Sequence, residues 1–342
     1  MEITMIKGNC MTTAMGIMPH TDIDEAIKLA LSLDIPFWPQ LPKVSLYEDM
    51  YVQISEKFPG ILVNEGEKRV ELVLEKFYEE LDQYALNMGE DSYFTMSPAY
   101  SKVYHRFLEQ DLKDYEMIRG QTIGPVSFGL QIKDQLKKPI IYNDDIRGLM
   151  FDFIARKIQI QYQELVEKNK NAFVWIDEPG LEMLFMSFTG YTSERAKKDL
   201  TGFLANIPGP KGIHLCGNPD WSFLLTLDLD ILSVDVLMWG HIFTRYFEQL
   251  KGFLDKGGII SWGIIPTDTG EMVEENVNSL VNKIEEMWDY LENKGVSKKM
   301  LAEQAWFAPA RCCLINDDGA HTVTNSFNVL KEVAKVIKER HL

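Results

Sequence analysis

Short apolar, β-prone runs alternate along the chain with longer stretches whose apolar residues recur every three or four positions. That alternation is expected of repeated strand–helix units around a parallel sheet. Eight runs read as strands: MTTAMGIM (11–18), IPFWPQL (35–41), MIRGQTIGP (117–125), AFVWIDEP (172–179), KGIHLCG (211–217), DILSVDVL (230–237), GIISWGII (258–265) and AWFAPARC (305–312). Between them, DIDEAIKLALSL (22–33), residues 64–88, residues 145–169 and EENVNSLVNKIEEMWDYLENKG (274–295) carry the helical period. The last of these closes on Lys294 and Gly295, as helix C-termini often do. Eight strands with alternating helices predict an α/β fold, a (β/α)8 TIM barrel with a long insertion between strands 2 and 3, about residues 42–116. No linker or composition shift marks a second domain, so residues 1–342 are expected to form one.

In such a barrel the catalytic groups gather where strands end at the C-terminal rim. Strand four then delivers Asp177 and Glu178, strand five His214 and Cys216, strand six Asp235, strand seven the Pro266–Asp268 loop, and strand eight Cys312 and Cys313. On a strand, side chains two positions apart face the same side, so His214 and Cys216 are able to meet one ion. Imidazole and thiolate are the preferred zinc donors, and a catalytic zinc has three protein ligands and an open position. Cys312 supplies the third ligand, and Asp235 either a fourth or a partner that fixes the imidazole. Asp177 and Glu178 are adjacent and face opposite sides; one enters the site and the other makes an ion pair or a cap. Cys313 and Cys10 are expected to pack as small hydrophobes, and His241 and His321 to be structural. His20 stands at the right rim for a substrate contact. Phe37, Trp38, Trp175 and Trp239 lie near strand ends, where they line either a pocket or the core.

The totals narrow the partners. With 46% hydrophobic and 25% charged residues and a formal net charge of −16, the chain is built to bury a core and to repel a phosphate backbone. Nucleic acid is not an expected partner. No apolar run reaches the length of a membrane span, and the N-terminus lacks a secretory leader, so a cytoplasmic protein is expected, its four cysteines reduced.

Once these residues are in view, a family resemblance emerges. IDEPGLEML (176–184), the HLC of 214–216, LDLDILSVDV (227–236), WGIIPTDT (262–269) and WFAPARCCL (306–314) resemble, in order and spacing, the C-terminal catalytic barrel of cobalamin-independent methionine synthase. That barrel belongs to the superfamily shared with uroporphyrinogen decarboxylase and corrinoid:thiol methyltransferases. TTAMGIMPHTD (12–22) and IGPVSF (123–128) resemble its first and third strand ends. The resemblance implies zinc held by His214, Cys216, Asp235 and Cys312, with aspartate at 235 where methionine synthases usually have glutamate. Of these, His214, Cys216 and Cys312 are the residues the chemistry is expected to depend on. Asp177 takes the position that contacts the amino group of homocysteine, and Gly16, His20, Gln40 and Trp175 complete the expected substrate side.

Several positions depart from the family pattern. The first-strand motif reads Met15-Gly16-Ile17-Met18-Pro19-His20-Thr21, without the family's serine. Gln40 is the nearest polar group to the family's second-strand glutamate, and the histidine after the seventh strand is absent from GIIPTDT. The family's N-terminal, folate-binding half has no counterpart in these 342 residues, so methyl-folate is not the expected donor. The resemblance therefore implies a zinc-dependent methyltransferase that moves a methyl group from a methylcobamide on a corrinoid protein to a small, homocysteine-like thiol. The alternatives are a decarboxylase of the uroporphyrinogen type, a corrinoid-linked demethylase, and a non-catalytic accessory protein. A decarboxylase pocket needs arginines to pair carboxylates, and the predicted rims offer little beyond Arg119 and Arg311.

Overall fold

The computed structural model describes residues 6–185 and 190–342; the first five residues of the segment read for a leader lie outside it. Seven parallel strands form one strongly curled sheet: β1 (Met11–Thr12), β4 (Ile118–Ile123), β5 (Ala172–Asp177), β6 (Lys211–Leu215), β7 (Ile231–Asp235), β8 (Ile259–Ile265) and β9 (Ala305–Pro309). Their order is β1-β9-β8-β7-β6-β5-β4, which leaves β1 and β4 at the edges. Two further strands, β2 (Ile61–Asn64) and β3 (Arg69–Leu72), form a separate antiparallel hairpin.

The expected second strand, 35–41, is not a ladder strand. It makes isolated bridges to both edges, Phe37 with Arg119 and Gln40 with Ile17, and Pro36 and Pro39 remove two of the N–H donors a ladder would use. The architecture is thus a half-barrel curl consistent with a TIM-barrel-like fold. Among the described residues, no helix is long and apolar enough to cross a membrane.

The helix expected over 64–88 is corrected: β2 ends in it, β3 comes next, and the helix begins only at Leu74 and runs to Asn87. NEGEKR supplies a turn, with Lys68 at φ 49°, and the alternation of RVEL suits a strand. The rest of 42–116 carries short helices. Buried Glu48 ties them together, accepting from Ser101 Oγ and Lys102 N at 2.7 Å each. The helix expected over 145–169 runs Asp144–Val166 and lies on β4 and β5. Its Gln161 accepts from Gln121 N at 3.0 Å.

Two layers of core result. The larger lies between sheet and helices; a smaller one fills the inside of the curl with Met15, Phe173, Trp175, Ile231, Ile259 and Trp306. Trp306 closes the floor by donating to Lys7 O at 3.0 Å.

Candidate metal centre

Parallel register carries the site. Asp177 pairs with His214 and His214 with Ser233, so three adjacent strands present polar side chains toward the interior at one height. Cys216 follows β6 by one residue, and Cys312 arrives from the loop after β9. His214 Nε2 lies 3.1 Å from Cys216 Sγ, and Cys216 Sγ lies 3.7 Å from Cys312 Sγ. All three donor atoms lie within 4.8 Å of one another, and among the described residues this is the one group of at least three such donors drawn that close.

A tetrahedral zinc sets its sulfurs about 3.8 Å apart and a nitrogen–sulfur pair about 3.6 Å apart. The sulfur pair already has that spacing; the histidine and Cys216 need to part by about half an ångström. His214 Nδ1 meets Ser233 Oγ at 2.9 Å, which leaves Nε2 as the ligating atom, with Nδ1–H donating to the hydroxyl. Trp239 Nε1 donates to the Cys216 carbonyl at 3.2 Å and steadies that loop. The donor set and its support fit zinc.

Cys312 beside it pulls the Cys216 thiol well below its ordinary value, against burial and with help from His214; Cys312 itself is pushed up by Cys216 and by burial. Burial works against a charged His214, yet the Cys216 thiolate, Asp177 and Asp235 carry its pKa upward. Burial raises Asp177 to about 7 and Asp235 to about 6.

Asp235 stands outside the three-residue group. Its Oδ1 caps the helix Val236–Phe243 by accepting from Met238 N at 2.9 Å, and its Oδ2 faces Arg311 Nε at 3.5 Å. Asp177 lies against the Cys312 thiol, within the field of His214 and Arg119, with one carboxylate oxygen unpartnered. Glu178 turns the other way and is the cap: it accepts from Val126 N at 2.9 Å, Ser127 N at 2.8 Å and Ser127 Oγ at 2.6 Å. Gly124 leaves room for it, since a Cβ there would fall 2.1 Å from Glu178 Oε1.

On the expected substrate side, Trp175 touches the His214 ring edge-on at 6.4 Å. Gly16 accepts from Gln40 N at 2.8 Å, and a Cβ at 16 would meet the Phe37 ring at 2.2 Å. Gln40 Nε2 donates to Gln53 Oε1 at 3.3 Å while its Oε1 has no partner. His20 is buried, its Nδ1 unpartnered and its pKa lowered mainly by burial. Cys10 packs as expected, and burial pushes its thiol up to about 12. Cys313 does not: it is exposed, because β9 ends at Pro309 and strand alternation no longer orients the residues beyond it. His241 and His321 are exposed. Ser233 does not stand out in the sequence, although ILSVD places it two residues from Asp235 on the same strand face.

No protein-family model and no curated protein matches the sequence. Solved structures do match. A methyltransferase from Methanosarcina mazei superposes with a TM-score of 0.57 at 15% identity, over 97% of this chain and 93% of that one. The fold is shared. A B12-independent methionine synthase from Shewanella sp. W3-18-1, solved with selenomethionine, aligns with a TM-score of 0.47 at 12% identity, over 65% of this chain. This chain spans 62% of that synthase's length.

Proposed function

We propose that the protein is a zinc-dependent methyltransferase that places a methyl group on a small thiol. The observation that carries this reading is the convergence of His214 Nε2, Cys216 Sγ and Cys312 Sγ within 4.8 Å at the end of the curl. A fold shared with a methanogen methyltransferase supports it.

Zinc bound there keeps a substrate thiol as thiolate, the reactive nucleophile, at neutral pH. His214, Cys216 and Cys312 hold the ion, and Asp235 is its further ligand if it exchanges Arg311 for the metal. Ser233 keeps the imidazole turned, and Trp239 keeps the Cys216 loop in place. Asp177 receives the polar end of an amino-thiol, and Trp175, under the histidine, excludes water from that side. Gly16, His20 and Gln40 line the approach. In the transfer a sulfur–carbon bond forms as the methyl leaves its carrier, the thiol proton having already gone to solvent. Homocysteine is the first acceptor to test and a methylcobamide on a corrinoid protein the first donor.

The test is an absorbance assay for conversion of methylcobalamin to cob(I)alamin, run with homocysteine and a panel of other thiols. Thiol-dependent conversion is expected with the parent and a loss of at least about 100-fold with Cys216→Ser. A substituted protein with full zinc content and full rate contradicts the assignment.

A further inference from the structure

Inside the curl, beneath the candidate metal centre, lies a guanidinium that makes no ion pair among the described residues. Arg119 is fully buried and sits between two rings, 4.7 Å from the centroid of Phe37 and 4.8 Å from that of Trp175. Its Nε donates to Thr13 Oγ1 at 3.1 Å; its Nη1 donates to Gly120 O at 3.2 Å and Gln121 Oε1 at 3.1 Å. Nη2, which carries two of the five N–H groups, has no partner among the described residues. The carboxylate that most supports its charge is Asp177, which makes no ion pair with it. Burying a charge without a counter-ion is costly, and cores that do so unaided are rare.

The neighbours share this condition. Gln121 Nε2, Trp175 Nε1 and Asp177 Oδ1 are all buried without a partner among the described residues, and register places Trp175 opposite Gln121, and Asp177 opposite His214. Three of these four residues, Arg119 included, offer unused donors and one an unused acceptor, an arrangement suited to an anionic group held near a second, cationic one. One inward-facing position separates the His214 level from that of Gln121, about 6.6 Å along a strand. That distance is the span of about three methylenes and a carboxyl carbon.

We propose that Arg119, with Gln121 beside it, is the anchor for the carboxylate of a thiol substrate, so that the enzyme takes carboxylate-bearing thiols. This rests on the thiol reading above and deepens it. A carboxylate on Nη2 and Gln121 Nε2 completes the guanidinium's donors with charge-assisted bonds, while the thiol at the chain's other end lies at the His214 level.

The test uses the protein loaded with cobalt(II) in place of zinc and two thiols of equal length, 4-mercaptobutyrate and 4-mercaptobutan-1-ol. The sulfur-to-cobalt charge-transfer band reports thiol ligation; calorimetry reports affinity. We expect the acid to bind about 10- to 100-fold tighter than the alcohol, and Arg119→Gln to erase that ratio while leaving the alcohol's affinity unchanged. Equal affinities in the parent, with both bands present, overturn the anchor and leave the thiol reading standing; so does a ratio that survives Arg119→Gln. If neither thiol gives a band yet the acid alone binds and loses its affinity in Arg119→Gln, the anchor stands and the metal–thiol reading falls. The parent's ratio needs no variant, so the proposal remains open to refutation even where Arg119→Gln fails to fold.

Discussion

At the end of β5 two neighbouring carboxylates occupy opposite sides of one sheet and live under opposite rules. Glu178 faces the helices and accepts three hydrogen bonds that begin the helix Pro125–Gln131; Ser127 Oγ in turn accepts from Gly180 N at 2.8 Å. Asp177 faces the interior, beside the Cys216 and Cys312 sulfurs and a buried arginine, with one oxygen unpartnered among the described residues. Burial drives both acids to about 7, so desolvation does not distinguish them. Satisfaction does. A buried acid whose bonds are all made belongs to the architecture, and one left incomplete in a polar interior belongs to whatever binds there.

Substitution sharpens that contrast most strongly at the pair itself. Glu178→Ala strands two backbone donors and a hydroxyl, and should lower unfolding stability by about 3 kcal/mol in denaturant titration while leaving metal stoichiometry intact. Asp177→Asn removes an incomplete charge and should shift stability by less than about 1 kcal/mol while weakening homocysteine binding. If both variants unfold equally early, the two faces do not differ as described.

A smaller effect is expected one step from the metal. Ser233→Ala deletes the hydroxyl that turns His214, and should weaken zinc binding by about 10- to 100-fold in competition with a chromogenic chelator. Unchanged affinity would mean that the imidazole is oriented by packing against Trp175 alone.

The smallest effect lies far from the site, where a charged cluster is complete. Glu285 accepts from Lys298 Nζ at 2.8 Å, Arg340 Nη1 at 3.2 Å and His341 Nε2 at 2.9 Å, tying the C-terminal helix His321–His341 to Val277–Glu292. Burial opposes its charge, but these three partners hold it down to about 2, against an ordinary value of 4.5. A depressed carboxylate stabilises the folded state above its unfolded value, and that stability is lost as pH falls through the folded one. The cluster is partly buried, with Arg340 reaching into solvent, and Glu285→Gln should cost about 1 kcal/mol at pH 7. The difference from the parent should shrink between pH 4.5 and about 2; a difference that persists at the acid end would argue against the ion pairs as its source.

Much of this was legible in the residues. Apolar runs located six of the seven sheet strands to within a few residues, because buried parallel strands are continuous apolar segments; the first run, 11–18, pairs as a strand only over Met11–Thr12. His-x-Cys spacing on a strand and a cysteine after the last strand were enough to converge three donors. Alternation alone separated Asp177 from Glu178. Other features depended on contacts distant in sequence. RVEL merged into the helical pattern of 64–88, and ILVN went unread just before it, because a hairpin is fixed by its turn and its partner strand, not by its own period. Arg119 reads as a rim arginine; the structure instead buries it inside the curl near the start of β4, where Phe37 and Trp175 close over it. Asp235 has the type and place of a ligand, but one oxygen caps a helix and the other faces Arg311, from the loop after β9, at 3.5 Å.

The central claim is that separate strand ends grip one metal ion with nitrogen and sulfur. The most direct measurement is X-ray absorption at the zinc edge of protein purified without added metal, together with its metal content. The account predicts about one zinc per chain, with two sulfurs near 2.3 Å and a nitrogen near 2.0 Å. Protein free of transition metal that also fails to take up zinc at micromolar concentration, or a bound zinc surrounded only by oxygen and nitrogen, would contradict it.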